Sequence, residues 1–141
     1  MKNKNKELLF KDICCRLPYG VKAYVRNYSK LDRKWYEGTY TIKSVFPVLN
    51  EIFVTSEKSS VEVLVGYDDY EIKPYLFPLS SMTEVQKNIY STYIDELKRN
   101  DGTYFETIFT SLQFWLYANH FDVHGLIPLD LAIDATNKNI Y

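Results

Sequence analysis

Cysteine and histidine are scarce in this sequence, with two of each among 141 residues. Cys14 and Cys15 are adjacent, and adjacent cysteines rarely bridge each other, so no disulfide framework is predicted. Unpaired cysteines are typical of a reducing compartment, and we therefore expect a cytoplasmic protein. Both thiols lie in a predicted helix beside Leu and Ile, where buried, unreactive cysteines are more common than nucleophiles.

Glycine is also scarce, with five residues in the chain. The sequence contains no Gly-x-Ser-x-Gly turn, no phosphate loop and no dinucleotide-binding Gly-x-Gly-x-x-Gly motif. The acidic run "GYDDYE", which holds Asp68, Asp69 and Glu71, lacks the ligand spacing of calcium loops, and we interpret it as a solvated turn at a strand end. No motif requires a cofactor, and the sequence favours a protein that is not an enzyme.

Long apolar runs are missing as well. The longest uncharged stretch, residues 107–121, contains Thr, Ser, Gln and Asn and is too short to span a bilayer, so no membrane association is expected. The stretch "MKNKNKELLFKDICC" has basic residues but only short apolar segments, unlike a signal peptide.

Aromatic residues, by contrast, are abundant, with 13 Tyr, 8 Phe and 2 Trp. A chain of this length buries a core without disulfides or metals. The formal net charge is −1, but residues 1–43 carry 11 Lys or Arg and 4 Asp or Glu, so the acidic excess lies in residues 44–141. Unless the two parts interleave in space, this asymmetry predicts a bipolar surface or two regions that face different partners.

The hydrophobic pattern predicts one α+β domain over residues 1–141. An apolar residue at every fourth position predicts a helix over residues 5–16. Four stretches rich in β-formers, "VKAYVRNY", "YEGTYTIKSVF", "EIFVTS" and "VEVLVGY", predict antiparallel strands that form a small sheet or an SH3-like or OB-like barrel. The prolines of "EIKPYLFPLSSMTE" predict an extended connector, and the first part of the domain, residues 1–79, ends in this stretch.

Residues 80–141 are predicted to form two neighbouring helices, an αα-hairpin, followed by a packed irregular tail. Each helix follows a Ser/Thr-x-x-Glu sequence that is typical of a capping box, at Ser81–Glu84 and at Thr103–Glu106. Asn119 favours the left-handed conformation that ends a helix, and Phe121 is then expected to pack into the core.

The stretch "ANHFDVHG" places His120, Asp122 and His124 two residues apart, which puts three metal-ligating residue types on one face of a strand. A catalytic zinc takes three protein ligands, so a metal-dependent enzyme is one interpretation. Most such sites draw ligands from more than one element, and the sequence offers no further histidine. We therefore favour a helix end whose three side chains face water, or in which Asp122 caps the following turn.

Cations alternate with aromatic residues along the first two predicted strands. The members of this basic-aromatic set are Lys22, Tyr24, Arg26, Tyr28, Arg33, Lys34 and Trp35, followed by Tyr36 and Tyr40. Similar surfaces on small β-sheets stack bases and neutralise phosphates. The alternative is an ordinary amphipathic strand whose outer rings are covered by the first helix or the tail. A net charge near zero argues against nucleic acid as the main partner.

Three stretches, "KDICCRLPYGV", "IKPYLFPLSSMTE" and "FWLYANHFDVHGLIPLDLAIDA", resemble a family of small uncharacterised proteins encoded by phages and prophages of Bacteroides-type gut bacteria. The resemblance implies a cytoplasmic protein made in a bacterial host, and it brings no activity, ligand or catalytic residue. In that family the position of His124 is often Arg, which weighs against a metal site.

The abundant aromatic residues and the missing catalytic motifs together favour an accessory protein that binds another protein. Nucleic-acid binding through the basic-aromatic set is the first alternative. A metal-dependent enzyme at His120, Asp122 and His124 is the second.

Overall fold

In a computed structural model of the chain, the described residues form three α-helices and an open, mixed β-sheet. The structure describes residues 2–29, 31–46, 48–49, 51–56, 62–66, 70–99 and 102–141. In chain order the elements are α1 (Lys2–Arg16), β1 (Lys22–Ser29), β2 (Lys34–Phe46), β3 (Glu51–Ser56), β4 (Glu62–Gly66), β5 (Tyr70–Leu76), α2 (Glu84–Arg99), α3 (Phe105–Ala118) and β6 (Ile133–Asp134). The predicted α+β class is confirmed. The stretch "EKSS" between the third and fourth predicted strands and residues 67–69 of the acidic run lie outside the described residues.

The strand order in the sheet is β4-β3-β2-β1-β5-β6. Strands β1 to β4 form an antiparallel meander, and β5 pairs antiparallel with the other side of β1. The two-residue β6 adds a parallel pairing at Tyr75↔Ile133. This order has two ends in the described part of the chain, so the sheet is open, which was the alternative to a barrel.

Strand β5 corrects the prediction that "EIKPYLFPLSSMTE" is a connector throughout. The register places Pro74 opposite Ala23, as the last β5 residue that pairs with β1. The pairing with β6 begins only at Tyr75, so the missing N–H group of Pro74 costs at most one ladder bond. Proline is therefore tolerated here because it lies where one ladder ends and the next begins.

The main core lies between α1 and one face of the sheet. Val21, just before β1, and Ala23 and Val25 of β1 are at most 2% exposed, because side chains two positions apart on a strand share a face. They pack with Leu9 and Ile13 of α1, which form part of the same buried cluster. The opposite face of the sheet carries the partly exposed residues Lys22, Tyr24, Arg26 and Tyr28. We refer to it as the outer face.

Helices α2 and α3 share a second apolar cluster with the residues around them. Its buried members are Met82, Leu112, Leu116 and Phe121. The rings of Tyr93 and Trp115 join the two helices, with centroids 6.2 Å apart. The segment between the two helices, residues 100–104, lies partly outside the described residues, so the αα-hairpin stays a prediction. None of the described helices is both long enough and apolar enough to cross a membrane.

Both predicted capping boxes are wrong. At α2 the reciprocal pair is Thr83 and Gln86, whose side chains each bind the backbone N–H group of the other, at 2.9 and 3.2 Å. Ser81 is unavailable because it belongs to a short 3-10 helix, and its hydroxyl donates to the carbonyl of Pro78. At α3 the N-cap residue is Tyr104, without a side-chain capping bond.

Candidate functional site

The outer face presents a cation stacked on a half-exposed tryptophan. Tyr28 pairs directly with Trp35 across β1 and β2, and Arg26 lies two residues before Tyr28 on the same face. The guanidinium carbon of Arg26 is 4.1 Å from the ring centroid of Trp35. The ring centroids of Tyr28 and Trp35 are 5.3 Å apart. Trp35 remains 49% exposed. We refer to Arg26, Tyr28 and Trp35 as the outer-face cluster, and each contact in it restrains the indole ring.

Two further members of the basic-aromatic set share the outer face but are engaged elsewhere. The Nζ atom of Lys22 donates to the carbonyl of Ile140 at 3.0 Å, which joins β1 to the tail. The hydroxyl of Tyr24 donates to a carboxylate oxygen of Glu37 at 2.6 Å. This hydrogen bond, together with partial desolvation, raises the pKa of Tyr24 above its usual value, so the ring stays neutral near pH 7.

The structure separates the remaining members of the set from the cluster. Lys34 pairs with Ser29 and Tyr36 with Asn27, so both side chains alternate away from the face that carries Trp35. The hydroxyl of Tyr36 is hydrogen-bonded to Asp32. Arg33 is exposed in the turn between β1 and β2, with a positive φ of 56°. The residues that the sequence groups together therefore do not form one surface.

Carboxylates flank the cluster on both sides, which sequence reasoning missed. Arg26 pairs with Glu37 on β2 and with Glu71 on β5, so its positive charge lies between two negative ones. Glu37 follows Trp35 by two residues, and the strand period could have identified it. Glu71 reaches this position only through the pairing of β1 with β5. The outer face is consequently mixed in charge rather than basic.

The three side chains of the His-x-Asp-x-His stretch bind three different partners. The carboxylate of Asp122 accepts hydrogen bonds from the backbone N–H groups of Leu126 and Ile127, at 2.8 and 3.0 Å. His120 stacks on Tyr141, with ring centroids 3.6 Å apart. His124 lies beside Asp12 of α1, with Nδ1 2.7 Å from the carboxylate. The expectation that all three face water is wrong for Asp122, which is buried.

No group of three His, Cys, Asp or Glu side chains that could hold a metal ion occurs in the part of the chain that the structure describes. The helix end also differs from the prediction in its detail. His120, with φ of 60°, adopts the left-handed conformation, whereas Asn119 has φ of −96°. The burial of Phe121 is confirmed, since only 2% of it is exposed.

A buried ion pair lies beneath His124. Arg16 binds Asp12 through two hydrogen bonds of 2.6 and 3.1 Å, and both side chains are fully buried. A third bond of 2.6 Å runs from Arg16 to the carbonyl of Phe121, and the guanidinium also lies over the Tyr117 ring. The spacing of Asp12 and Arg16 is visible in sequence, but their burial is not. The network joins α1 to the tail.

Tyr117 and His120, which lie near this network, are held in their neutral forms. Burial, followed by a hydrogen bond and repulsion from Cys15, raises the pKa of Tyr117 to about 12. Burial and the charges of Arg16 and Lys22 lower the pKa of His120 to about 4. A phenol and an imidazole with these values do not exchange protons near pH 7, which suits a structural role better than general acid–base catalysis.

The cysteines differ from the expectation of two buried thiols, because Cys14 is exposed and Cys15 is half-buried. Partial burial and the neighbouring Cys15 raise the pKa of Cys14, so the unreactive thiol form prevails at neutral pH.

The outer-face cluster is thus the candidate functional site, and its geometry is the evidence for it. Comparison of the chain with protein-family models, with curated proteins and with solved structures finds no match.

Proposed function

We propose that this protein is a non-enzymatic accessory protein that binds another protein through its outer-face cluster. The observation that carries the proposal is the stacking of Arg26 on the half-exposed ring of Trp35. Tryptophan, tyrosine and arginine are the residues that most often dominate the binding energy of protein interfaces. The cluster contains all three, and Arg26 and Tyr28 both contact Trp35.

The cluster is also ordered in advance of binding. Arg26 covers one part of the indole and Tyr28 packs against it at an interplanar angle of 56°. Side chains that are already held in place lose less conformational entropy when a partner docks. A restrained tryptophan therefore contributes more of its contact energy to affinity than a freely rotating one.

The charge pattern supports a protein partner over a nucleic acid. Glu37 and Glu71 on either side of Arg26 repel phosphates, whereas a protein surface supplies both signs of charge to meet them. The sequence resemblance supports a partner in the cytoplasm of a bacterial host that carries phages or prophages. The partner surface would place an apolar or aromatic side chain against Trp35 and a cationic group near Glu37.

A pull-down with matched variants tests the proposal. The wild-type protein, Trp35→Ala and Tyr104→Ala are each immobilised and exposed to lysate of a Bacteroides-type host, and the retained proteins are identified by mass spectrometry. Tyr104, the N-cap residue of α3, is 63% exposed and serves as the control. We expect a protein that is retained by the wild type and the control but lost with Trp35→Ala, and that binds purified wild-type protein at least tenfold more tightly than the variant. Equal retention by all three proteins contradicts the proposal, as does turnover in an activity screen.

Nucleic-acid binding is the second candidate, and one observation favours it. Arg33 and Lys34 are exposed at the end of the β1–β2 hairpin, next in sequence to the exposed indole on which a base could stack. A fluorescence titration with a single-stranded oligonucleotide at low and moderate salt tests this candidate. Binding that weakens steeply with salt, and that Trp35→Ala abolishes, supports nucleic acid as the partner. The absence of a signal at low salt rejects it.

A further inference from the structure

A groove of about 350 Å³ lies between α1, β5 and the tail. Its lining includes Lys6, Leu9 and Phe10 of α1, Ile72 and Lys73 of β5, and Leu131 of the tail. This volume falls at the lower end of the range of roughly 300–1,000 Å³ that is typical of small-molecule sites. The groove follows the side of β5 that β6 covers only from Tyr75 onward.

The floor of the groove is apolar. Leu9, Phe10 and Ile72 line it, and each is at most 7% exposed. Leu131 of the tail adds a further aliphatic side chain that packs against the same buried cluster. An apolar body placed here loses water from its own surface without displacing a polar partner of the protein.

Lys6 provides a cation at one side of the groove. Its Nζ atom lies 5.8 Å from the Tyr70 ring and 5.9 Å from the Phe10 ring. Among the described residues, no carboxylate lies within ion-pair distance of this ammonium group. The contact with two aromatic faces positions the charge over the apolar floor without neutralising it.

The other charges of the groove already compensate one another. Lys73 lies between two carboxylates, 2.9 Å from Asp130 and 3.4 Å from Glu71. The hydrogen bond with Asp130 is the main cause of a raised pKa of Lys73, so this ammonium stays charged. A cationic ligand would have to compete with Lys73 for both acids, whereas an anionic ligand meets in Lys6 an ammonium group that no carboxylate of the described residues pairs with.

We propose that this groove binds a small molecule with an apolar body and a single carboxylate. The carboxylate pairs with Lys6, and the body lies over Leu9, Phe10 and Ile72. Lysine contributes a point charge rather than a planar fork, so the site selects the charge and the apolar shape of the ligand more than the geometry of its acid group. The site does not require the outer-face cluster, and it can exist whether or not that cluster binds a protein.

Titration with 3-phenylpropionate, followed by two-dimensional NMR of the ¹⁵N-labelled protein, tests the site. We expect saturable shifts of the amides of Leu9, Phe10, Ile72 and Leu131. The neutral analogue 3-phenylpropionamide and the cation 3-phenylpropylamine are titrated in parallel, and we expect each to bind at least fivefold more weakly. The proposal is overturned if the groove amides do not respond to the acid, or if the amide or the amine binds as well as the acid does.

The role of Lys6 is tested with Lys6→Gln and with the matched control Lys11→Gln, which removes an exposed lysine of the same helix that does not line the groove. Lys6→Gln is expected to weaken binding of the acid at least fivefold and to leave the spectrum of the free protein otherwise intact. Lys11→Gln is expected to bind as the wild type does. Equal weakening by both substitutions would mean that the acid responds to the overall charge of α1 rather than to a site at Lys6.

Discussion

The Nδ1 atom of His124 lies 2.7 Å from the carboxylate of Asp12, although 112 residues separate the two in sequence. The same carboxylate binds Arg16, which in turn binds the carbonyl of Phe121. Two groups on α1 and two groups on the tail therefore form one polar network around a fully buried ion pair. Its energetics can be separated from the apolar packing around it by substitution.

Removing one member of the ion pair is expected to be more harmful than replacing both. Arg16→Met leaves the buried carboxylate of Asp12 without its main counter-ion and should lower the free energy of unfolding by about 3–5 kcal/mol. The double variant Asp12→Leu with Arg16→Met removes both charges and should be more stable than Arg16→Met alone. Urea unfolding of the wild type, the single variant and the double variant measures these differences. If the double variant is less stable than Arg16→Met, the ion pair stabilises the fold by more than the mutual neutralisation of its two charges.

The stability of the protein is expected to fall on mild acidification because of His120. The positive charges of Arg16 and Lys22 and the stacked Tyr141 face this imidazole, whose pKa is lowered to about 4, chiefly by burial. In the unfolded chain the same group titrates at about pH 6.5. Between these two pH values the unfolded state binds more protons than the folded state. The contribution of His120 to the free energy of unfolding is therefore complete above the upper pH value and is lost as the pH falls toward the lower one.

Urea unfolding at a series of pH values between 7 and 4 checks this expectation, with His120→Asn as the comparison. Asparagine tolerates the left-handed backbone that His120 adopts. The free energy of unfolding should decline less steeply with falling pH in the variant, because the variant lacks the imidazole. Some decline should remain, since the acidic residues titrate in both proteins. Identical pH profiles would show that His120 does not contribute.

The substitution of phenylalanine by alanine can be compared at a buried position, Phe121, and at an exposed one, Phe114. Phe121 is 2% exposed and its ring lies 5.8 Å from that of Trp115, so Phe121→Ala should cost about 3–5 kcal/mol. Phe114 is 56% exposed on α3, and Phe114→Ala should change stability by less than about 1 kcal/mol. Thermal and urea unfolding compare the two variants, and similar losses for both would place Phe114 in an apolar contact of comparable extent.

The start of α2 is expected to depend on Thr83. Thr83→Ala removes the hydroxyl that accepts the N–H of Gln86 and should lower stability by about 0.5–2 kcal/mol. Thr103→Ala is the matched control, because Thr103 is exposed and the N-cap of α3 is Tyr104. Circular dichroism during thermal unfolding reports both. A larger effect from Thr103 would restore the capping box that the sequence suggests.

The meander and its inner face can be predicted from sequence because side chains alternate strictly along β1. The place of β5 cannot, because Pro74 is acceptable only at the end of a ladder, and the end of that ladder is set by the position of β6. Helix termini are equally sensitive to context. Ser81 and Thr83 are both good caps in isolation, and the 3-10 helix at residues 79–81 decides between them.

The candidate site shows the same division between local and long-range information. The period of two places Arg26, Tyr28 and Trp35 on one face once the β1–β2 register is known. It does not reveal Glu71, which comes from a strand more than forty positions later in the chain. Nor does it reveal that His124 meets Asp12, since that contact depends on how the tail folds back onto α1.

The long separations in the polar network also determine the order in which this fold is completed during synthesis on the ribosome. Arg16 and Asp12 emerge early, but the carbonyl of Phe121 and the ring of His124 become available only after more than a hundred further residues have been added. Until then the guanidinium of Arg16, which is fully buried in the folded protein, must stay hydrated. Helix α1 therefore cannot pack in its final position before the tail is present. The nascent chain is therefore expected to remain protease-sensitive at α1 until translation has passed residue 124.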